Sequence, residues 1–177
     1  EVVSLATKFI VPLQKIIKDF NLEVLYVPED TSTIAISSPE VNRPGLQLSG
    51  FFDYFDSQRV QILGKSEFAF LHQFDDTEIT NRIDNYFSTC PPAVVITRNI
   101  EAPACMMDAA KAHKVSLLRT ADGTSAFMAG LIAELNVELA LRVTRHGVLV
   151  EVYGEGILLL GESGVGKSET AIELVKR

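Results

Sequence analysis

Apolar residues recur along the chain at helical spacing in some stretches and at strand spacing in others. After Pro12, the residues Leu13, Ile16, Ile17 and Phe20 share one helical face, with proline where a first turn tolerates it. LEVLYV (22–27) and TIAIS (33–37) predict short strands separated by the turn-forming PEDTS. Arg43-Pro44-Gly45 marks a sharp turn, and the aromatic-rich LQLSGFFDYF (46–55) predicts a helix packed on the core. RVQILG (59–64) is strand-like. Ile79, Ile83, Tyr86 and Phe87 line one face of a helix from Asp76 to Thr89, which Pro91-Pro92 ends.

A clear alternation follows. Strand AVVIT (93–97), a helix from Pro103 to Lys114 and strand VSLLRT (115–120) form a βαβ unit, whose apolar, β-branched strands point to a parallel pair. Asp122-Gly123 turns the chain, and Thr124 or Ser125 is expected to cap a helix reaching about Val143. VLVEVY (148–153) and ILLLG (157–161), joined by a turn at Gly154-Glu155-Gly156, predict a hairpin. A last helix runs from Lys167 to Arg177, with Ala171, Leu174 and Val175 as its buried stripe and Glu169, Glu173 and Lys176 facing water. The fold class is α/β: an amino-terminal mixed α/β domain (1–134) with a parallel βαβ unit, then the start of a second domain (135–177).

Composition narrows the function classes. Of 177 residues, 47% are hydrophobic and 22% charged, as in a soluble globular protein. The net charge of −7 argues against sequence-independent nucleic-acid binding, which needs concentrated positive charge. Cys90 and Cys105 have no metal-ligand spacing and read as free thiols. No apolar run approaches the roughly 18 residues needed to span a membrane, and no cationic leader precedes an apolar segment, so a cytoplasmic location is expected. The first residue is Glu rather than Met, and a native start upstream is expected.

The residues Gly161-Glu162-Ser163-Gly164-Val165-Gly166-Lys167-Ser168 satisfy the pattern G-x-x-x-x-G-K-[ST]. Each part has a physical task. Glycines allow backbone N–H groups to converge on phosphate oxygens, and the following helix directs its unsatisfied amides at the same anion. Lys167 would bridge the β- and γ-phosphates, and the Ser168 hydroxyl would coordinate Mg²⁺. Glu162 is assigned to loop geometry rather than chemistry. The loop by itself does not say what receives the phosphate.

The wider stretch HGVLVEVYGEGILLLGESGVGKSETAIELVKR (146–177) closely resembles the start of the catalytic domain of bacterial HPr kinase/phosphorylase. NRPGLQLSGFFDYFDSQRVQILGKSEF (42–68) and PPAVVITRNIEAP (91–103) look like that family's amino-terminal domain. The resemblance makes the second domain the start of a P-loop kinase domain. It implies ATP-dependent phosphorylation of a serine in the phosphocarrier HPr, and phosphorolysis of phosphoseryl-HPr by inorganic phosphate to give pyrophosphate. It also implies Mg²⁺, control of carbon catabolite repression, and a homo-oligomer that is commonly a hexamer. It places His146 and Lys167 in the active site. By position alone His146 reads as a turn or capping histidine, although a hairpin can return it to the end of the second strand.

Other candidates carry less. His72 and His113 read as structural or exposed, and Asp75-Asp76 as ordinary helix caps. Arg98 and Arg119 follow parallel-strand candidates, where small ligands often bind. The resemblance places the catalytic aspartate and second metal ligand beyond Arg177, so these 177 residues alone are expected to lack kinase activity. Two other readings stay open: a non-catalytic binding or assembly module, and a P-loop ATPase acting on a small molecule.

Overall fold

In the computed structural model, which describes residues 9–28, 30–142 and 145–176, the apolar run Ala93–Ile96 becomes the central strand of a five-stranded sheet. The chain divides into two units, Glu1–Ala140 and Leu141–Arg177. The first unit runs β1 (Val11–Pro12), α1 (Leu13–Asp19), β2 (Glu23–Tyr26), β3 (Ala35–Ile36), β4 (Val41–Asn42), α2 (Gly45–Leu48) and β5 (Val60–Leu63). It continues through α3 (Lys65–Leu71), α4 (Asp76–Phe87), β6 (Ala93–Ile96), α5 (Ala104–Ala112), β7 (Ser116–Arg119) and α6 (Thr124–Glu138). Residue 134, the boundary expected from the sequence, lies within α6. The expected helix end near Val143, together with Glu29 and Arg177, lies outside the described residues.

The sheet order is β2-β7-β6-β5-β4, with β4 to β7 parallel and β2 antiparallel at one edge. The βαβ reading of β6, α5 and β7 holds, with Val94 paired to Leu117 and Val95 to Leu118. Strand alternation sends Leu63, Val94, Ile96 and Leu117 to one face, where they meet Phe68, Ile83, Tyr86, Phe87, Met106 and Ala110. Val60, Ile62, Ala93, Val95 and Leu118 go to the other, against Leu13, Ile16, Phe127, Leu131 and Leu135. Burial on both faces explains why these strands are apolar throughout. Phe20 meets Phe127 edge-on at 5.5 Å. Lys15 pairs with Glu134 at 2.7 Å, tying α1 to α6.

Two local expectations are corrected in this unit. The helix predicted over 46–55 ends at Leu48, because Gly50 takes φ +95° and Phe51 N returns to Leu46 O at 3.1 Å. That left-handed glycine with its six-residue closure is a helix stop, and the aromatics beyond it divide: Phe52 and Phe55 are half-buried while Phe51 and Tyr54 are exposed. The cap of α6 is Gly123, not Thr124 or Ser125. The Thr124 hydroxyl is instead 2.7 Å from that of Thr97, which donates to Leu63 O at 3.0 Å.

In the second unit, β8 (Gly147–Val152) and β9 (Glu155–Leu160) form the expected hairpin, and α7 (Lys167–Lys176) packs on it. The turn is Tyr153-Gly154, at φ +54° and +84°, so Glu155 and Gly156 belong to β9 and not to the turn. Positive φ at both central residues is what a two-residue hairpin turn of matching twist requires. On α7, Ala171 is buried and Leu174 half-buried, but Val175 is exposed rather than part of the buried stripe. No helix among the described residues is long and apolar enough to cross a membrane.

Tyr86 supplies a test of the first unit. Its ring is fully buried, and its hydroxyl has no hydrogen-bond partner among the described residues. Burial, reinforced by the charge of Glu67, pushes its pKa well above the ordinary value. At neutral pH both states hold the neutral phenol and the buried hydroxyl without a partner is a cost; above about pH 10 the unfolded chain releases the proton that the folded chain keeps, and stability falls. Tyr86→Phe should raise stability by about 1 kcal/mol at neutral pH. It should also reduce the stability lost between neutral pH and about pH 11, as measured by urea unfolding.

Candidate functional site

The loop is built by the short elements on either side of it. Strand β9 delivers the chain to Gly161, and α7 begins at Lys167. Between them Gly164 and Gly166 take φ of +88° and +87°, a left-handed conformation that residues with a Cβ rarely adopt. Thr170 N reaches Gly166 O at 2.9 Å, so the amides of Lys167, Ser168 and Glu169 stand ahead of that first helical bond. These amides and the positive end of the helix dipole make an anion-binding terminus.

Lys167 closes the loop from the other side. Its Nζ donates to Gly161 O at 2.7 Å and to Glu162 O at 2.5 Å, which draws both ends of the loop around one cation. Glu162 contributes its backbone carbonyl to this closure. Val165 lies over Gly161, its Cγ2 3.0 Å from where a Cβ on that glycine would stand. Ser163 is exposed, and the exposed Ser168 hydroxyl has no hydrogen-bond partner among the described residues.

His146 reaches this place through the hairpin. Gly147 pairs with Leu160 as the last pair of the ladder, so His146 and Gly161 each lie one residue beyond that pair. His146 is exposed and makes no hydrogen bond or ion pair among the described residues. Lys167 therefore bonds the carbonyl of the residue that follows Leu160, the partner of Gly147.

Comparison with known proteins identifies the family. Residues 11–135 match the family described as HPr Serine kinase N terminus, and residues 137–177 match the HPr Serine kinase C-terminal domain. The chain belongs to the HPr serine kinase family. Among its relatives is an HPr kinase/phosphorylase of Caldicellulosiruptor bescii, 50% identical over 169 residues that make up 96% of this chain and 54% of that protein. HPr kinase/phosphorylases of Thermoanaerobacter sp. (strain X514) and Clostridium perfringens (strain 13) are 47% and 42% identical, each over 94% of this chain and 54% of the relative. The chain therefore spans about half the length of these relatives. A solved structure of the CBS and DRTGG domains from the regulatory region of Clostridium perfringens pyrophosphatase, with diadenosine tetraphosphate, has the same general fold. The TM-score is 0.54 at 12% identity, covering 93% of this chain and 60% of that one.

The other candidates of this HPr serine kinase chain lie in the first unit and do not form a second centre. Arg119 is held by Glu23 through two hydrogen bonds of 2.8 and 2.9 Å, and it keeps that carboxyl below its ordinary pKa. Arg98 is exposed, at φ +63°. Asp75 caps α4 by accepting from Glu78 N at 2.9 Å. His113 meets Asp84 at 2.7 Å, His72 is exposed, and both cysteines are free.

Sequence reasoning missed an ionic contact between buried Glu67 and exposed Arg43. Glu67 accepts from Gly64 N at 2.8 Å and from Arg43 at 2.9 Å. The glutamate three residues after a helix-capping glycine was its available signal.

Replacing Lys167 tests the loop. Lys167→Met removes two backbone contacts and the cation together. In the full-length protein it should weaken pyrophosphate binding at least about tenfold, or roughly 1.4 kcal/mol, by titration calorimetry.

Proposed function

We propose that this chain is the amino-terminal domain and the beginning of the catalytic domain of an enzyme that phosphorylates a serine of HPr and removes that phosphate by phosphorolysis. The observation that carries the reading is the closing of the hairpin at the loop: Lys167 Nζ bonds Gly161 O, and Gly147, next to His146, pairs with Leu160, next to Gly161. Two groups that can address phosphoryl oxygens thus flank a loop whose amides already favour an anion.

The residues present fit a nucleotide. Gly161 to Ser168 would cradle the β- and γ-phosphates of ATP, with Lys167 moving from the loop carbonyls to the phosphate oxygens. The unpartnered Ser168 hydroxyl would give one ligand to Mg²⁺. One protein oxygen is a fitting contribution, since Mg²⁺ in such sites takes most of its shell from phosphates and water. Among the described residues, no group of three or more His, Cys, Asp or Glu side chains could hold a metal ion. Bound Mg²⁺ would supply charge neutralisation of the phosphates.

In the forward direction the seryl oxygen of HPr forms a bond to the γ-phosphorus. The bond from that phosphorus to the β–γ bridging oxygen breaks, ADP leaves, and the seryl proton passes to a base outside these residues. In reverse, an oxygen of inorganic phosphate attacks the phosphoserine phosphorus, the seryl O–P bond breaks, serine recovers a proton, and pyrophosphate forms. Lys167 and His146 would hold the transferring group in line, His146 by donating a hydrogen bond to it. Catalysis by this chain's residues is thus positioning and electrostatic stabilisation. The reading carries with it a cytoplasmic homo-oligomer, hexameric as the family resemblance implies, that acts in carbon catabolite repression.

The test is an assay of the full-length protein with HPr, ATP and Mg²⁺, followed by phosphoseryl-HPr with inorganic phosphate. Seryl phosphorylation in the first and pyrophosphate release in the second are expected. ATP turnover that leaves HPr unmodified but phosphorylates a sugar would replace this reading with a small-molecule ATPase.

A further inference from the structure

We propose that Gly147 is a positioning residue for phosphoryl transfer, its missing side chain letting the strand that carries His146 close onto the strand that carries the loop. The inference rests on the HPr kinase/phosphorylase reading above and assigns a residue that reading leaves without a role.

Gly147 opens β8 and pairs with Leu160, the last residue of β9 before the loop. A Cβ built on Gly147 would stand 2.8 Å from Leu159 O, and 3.0 Å from both Leu158 Cδ1 and Leu160 Cδ2. The two leucine side chains are exposed and can swing aside. The Leu159 carbonyl cannot, because it is main chain of a paired strand, with Leu159 opposite Val148. Relief of the clash must therefore come from the end of β8, the segment that leads directly into His146.

His146 has nothing else to hold it among the described residues. It forms no hydrogen bond or ion pair and its side chain is exposed. Its position beside Gly161 follows from the strand pairing transmitted through Gly147. A methyl group at 147 displaces His146 without altering it chemically. The loop is affected less, since the glycines at 164 and 166 and the Lys167 bonds to Gly161 and Glu162 lie within it.

The experiment is a double-mutant cycle in the full-length protein, following HPr phosphorylation with rates expressed per nucleotide site titrated by a fluorescent ATP analogue. Normalising this way removes unfolded molecules from the comparison. Gly147→Ala should lower kcat about ten- to a hundred-fold and change the KM for ATP by less than about twofold, as expected for a displaced catalytic group. Combined with His146→Ala, it should cost nothing further. Val150→Ala, midway along the same strand and opposite Ile157, weakens the hairpin away from that end, and its smaller loss should multiply with that of His146→Ala. An undiminished kcat in Gly147→Ala, or losses at 147 and 146 that multiply, would overturn the positioning role and leave the kinase reading standing. Wild-type kcat in His146→Ala would instead remove the role of His146 in that reading, and the inference with it.

Discussion

The antiparallel pairing of β8 with β9 is the contact that gives the second unit its chemistry. Six paired positions run from Gly147 with Leu160 to Val152 with Glu155, around a turn in which Tyr153 and Gly154 both take positive φ. That pairing delivers Gly161 to the start of α7 and, from the other strand, brings His146 alongside. Around this frame the loop is closed by contacts of very short range. Lys167 reaches back to the carbonyls of Gly161 and Glu162, and two left-handed glycines turn the chain between them. The result is a backbone arrangement with its positive end exposed, able to meet a phosphate with little rearrangement of the main chain.

Strand pairing also organises the first unit, with a different outcome. There β5, β6 and β7 are parallel and almost wholly buried, so both faces of the sheet are committed to core packing against helices. Polar groups near the carboxyl ends of β5 and β6 are joined to one another. Thr97 bonds Leu63 O and meets Thr124, while Glu67 joins Gly64 N to Arg43. Satisfied pairs of this kind contribute to a unique packing, because each would be costly to leave unmade in a buried setting. Among the described residues, the Tyr86 and Ser116 hydroxyls are buried without a partner.

Much of the fold was legible because its elements have strong local signals. The β6-α5-β7 unit showed itself through two short apolar runs around a helix, and α4 through Ile79, Ile83, Tyr86 and Phe87 on one face. The errors came where one residue or one distant contact overrode a pattern. Gly50 ended a helix that the following aromatics appeared, from their hydrophobicity alone, to extend. Thr124 looked like a cap, but its hydroxyl meets Thr97, 27 positions away in sequence. Tyr153 occupies a left-handed turn position that favours glycine or asparagine, so the turn was placed one residue too late. Arg119, read as a possible ligand residue, is held by Glu23, 96 positions away.

The sequence by itself determined the loop and its conformation. Glycine conformation, the lysine contacts to Gly161 and Glu162, and the amides at the start of α7 all lie within a few residues, where local geometry decides. Sequence also sufficed for family membership, since the characteristic stretches are contiguous. Only the tertiary structure decided that Gly147, next to His146, pairs with Leu160, that Gly147 has no room for a methyl group, and that Arg119 is paired with Glu23. Each of those facts depends on which main-chain atoms two strands bring together. Strand register is a property of the pair, and neither strand's sequence states it alone.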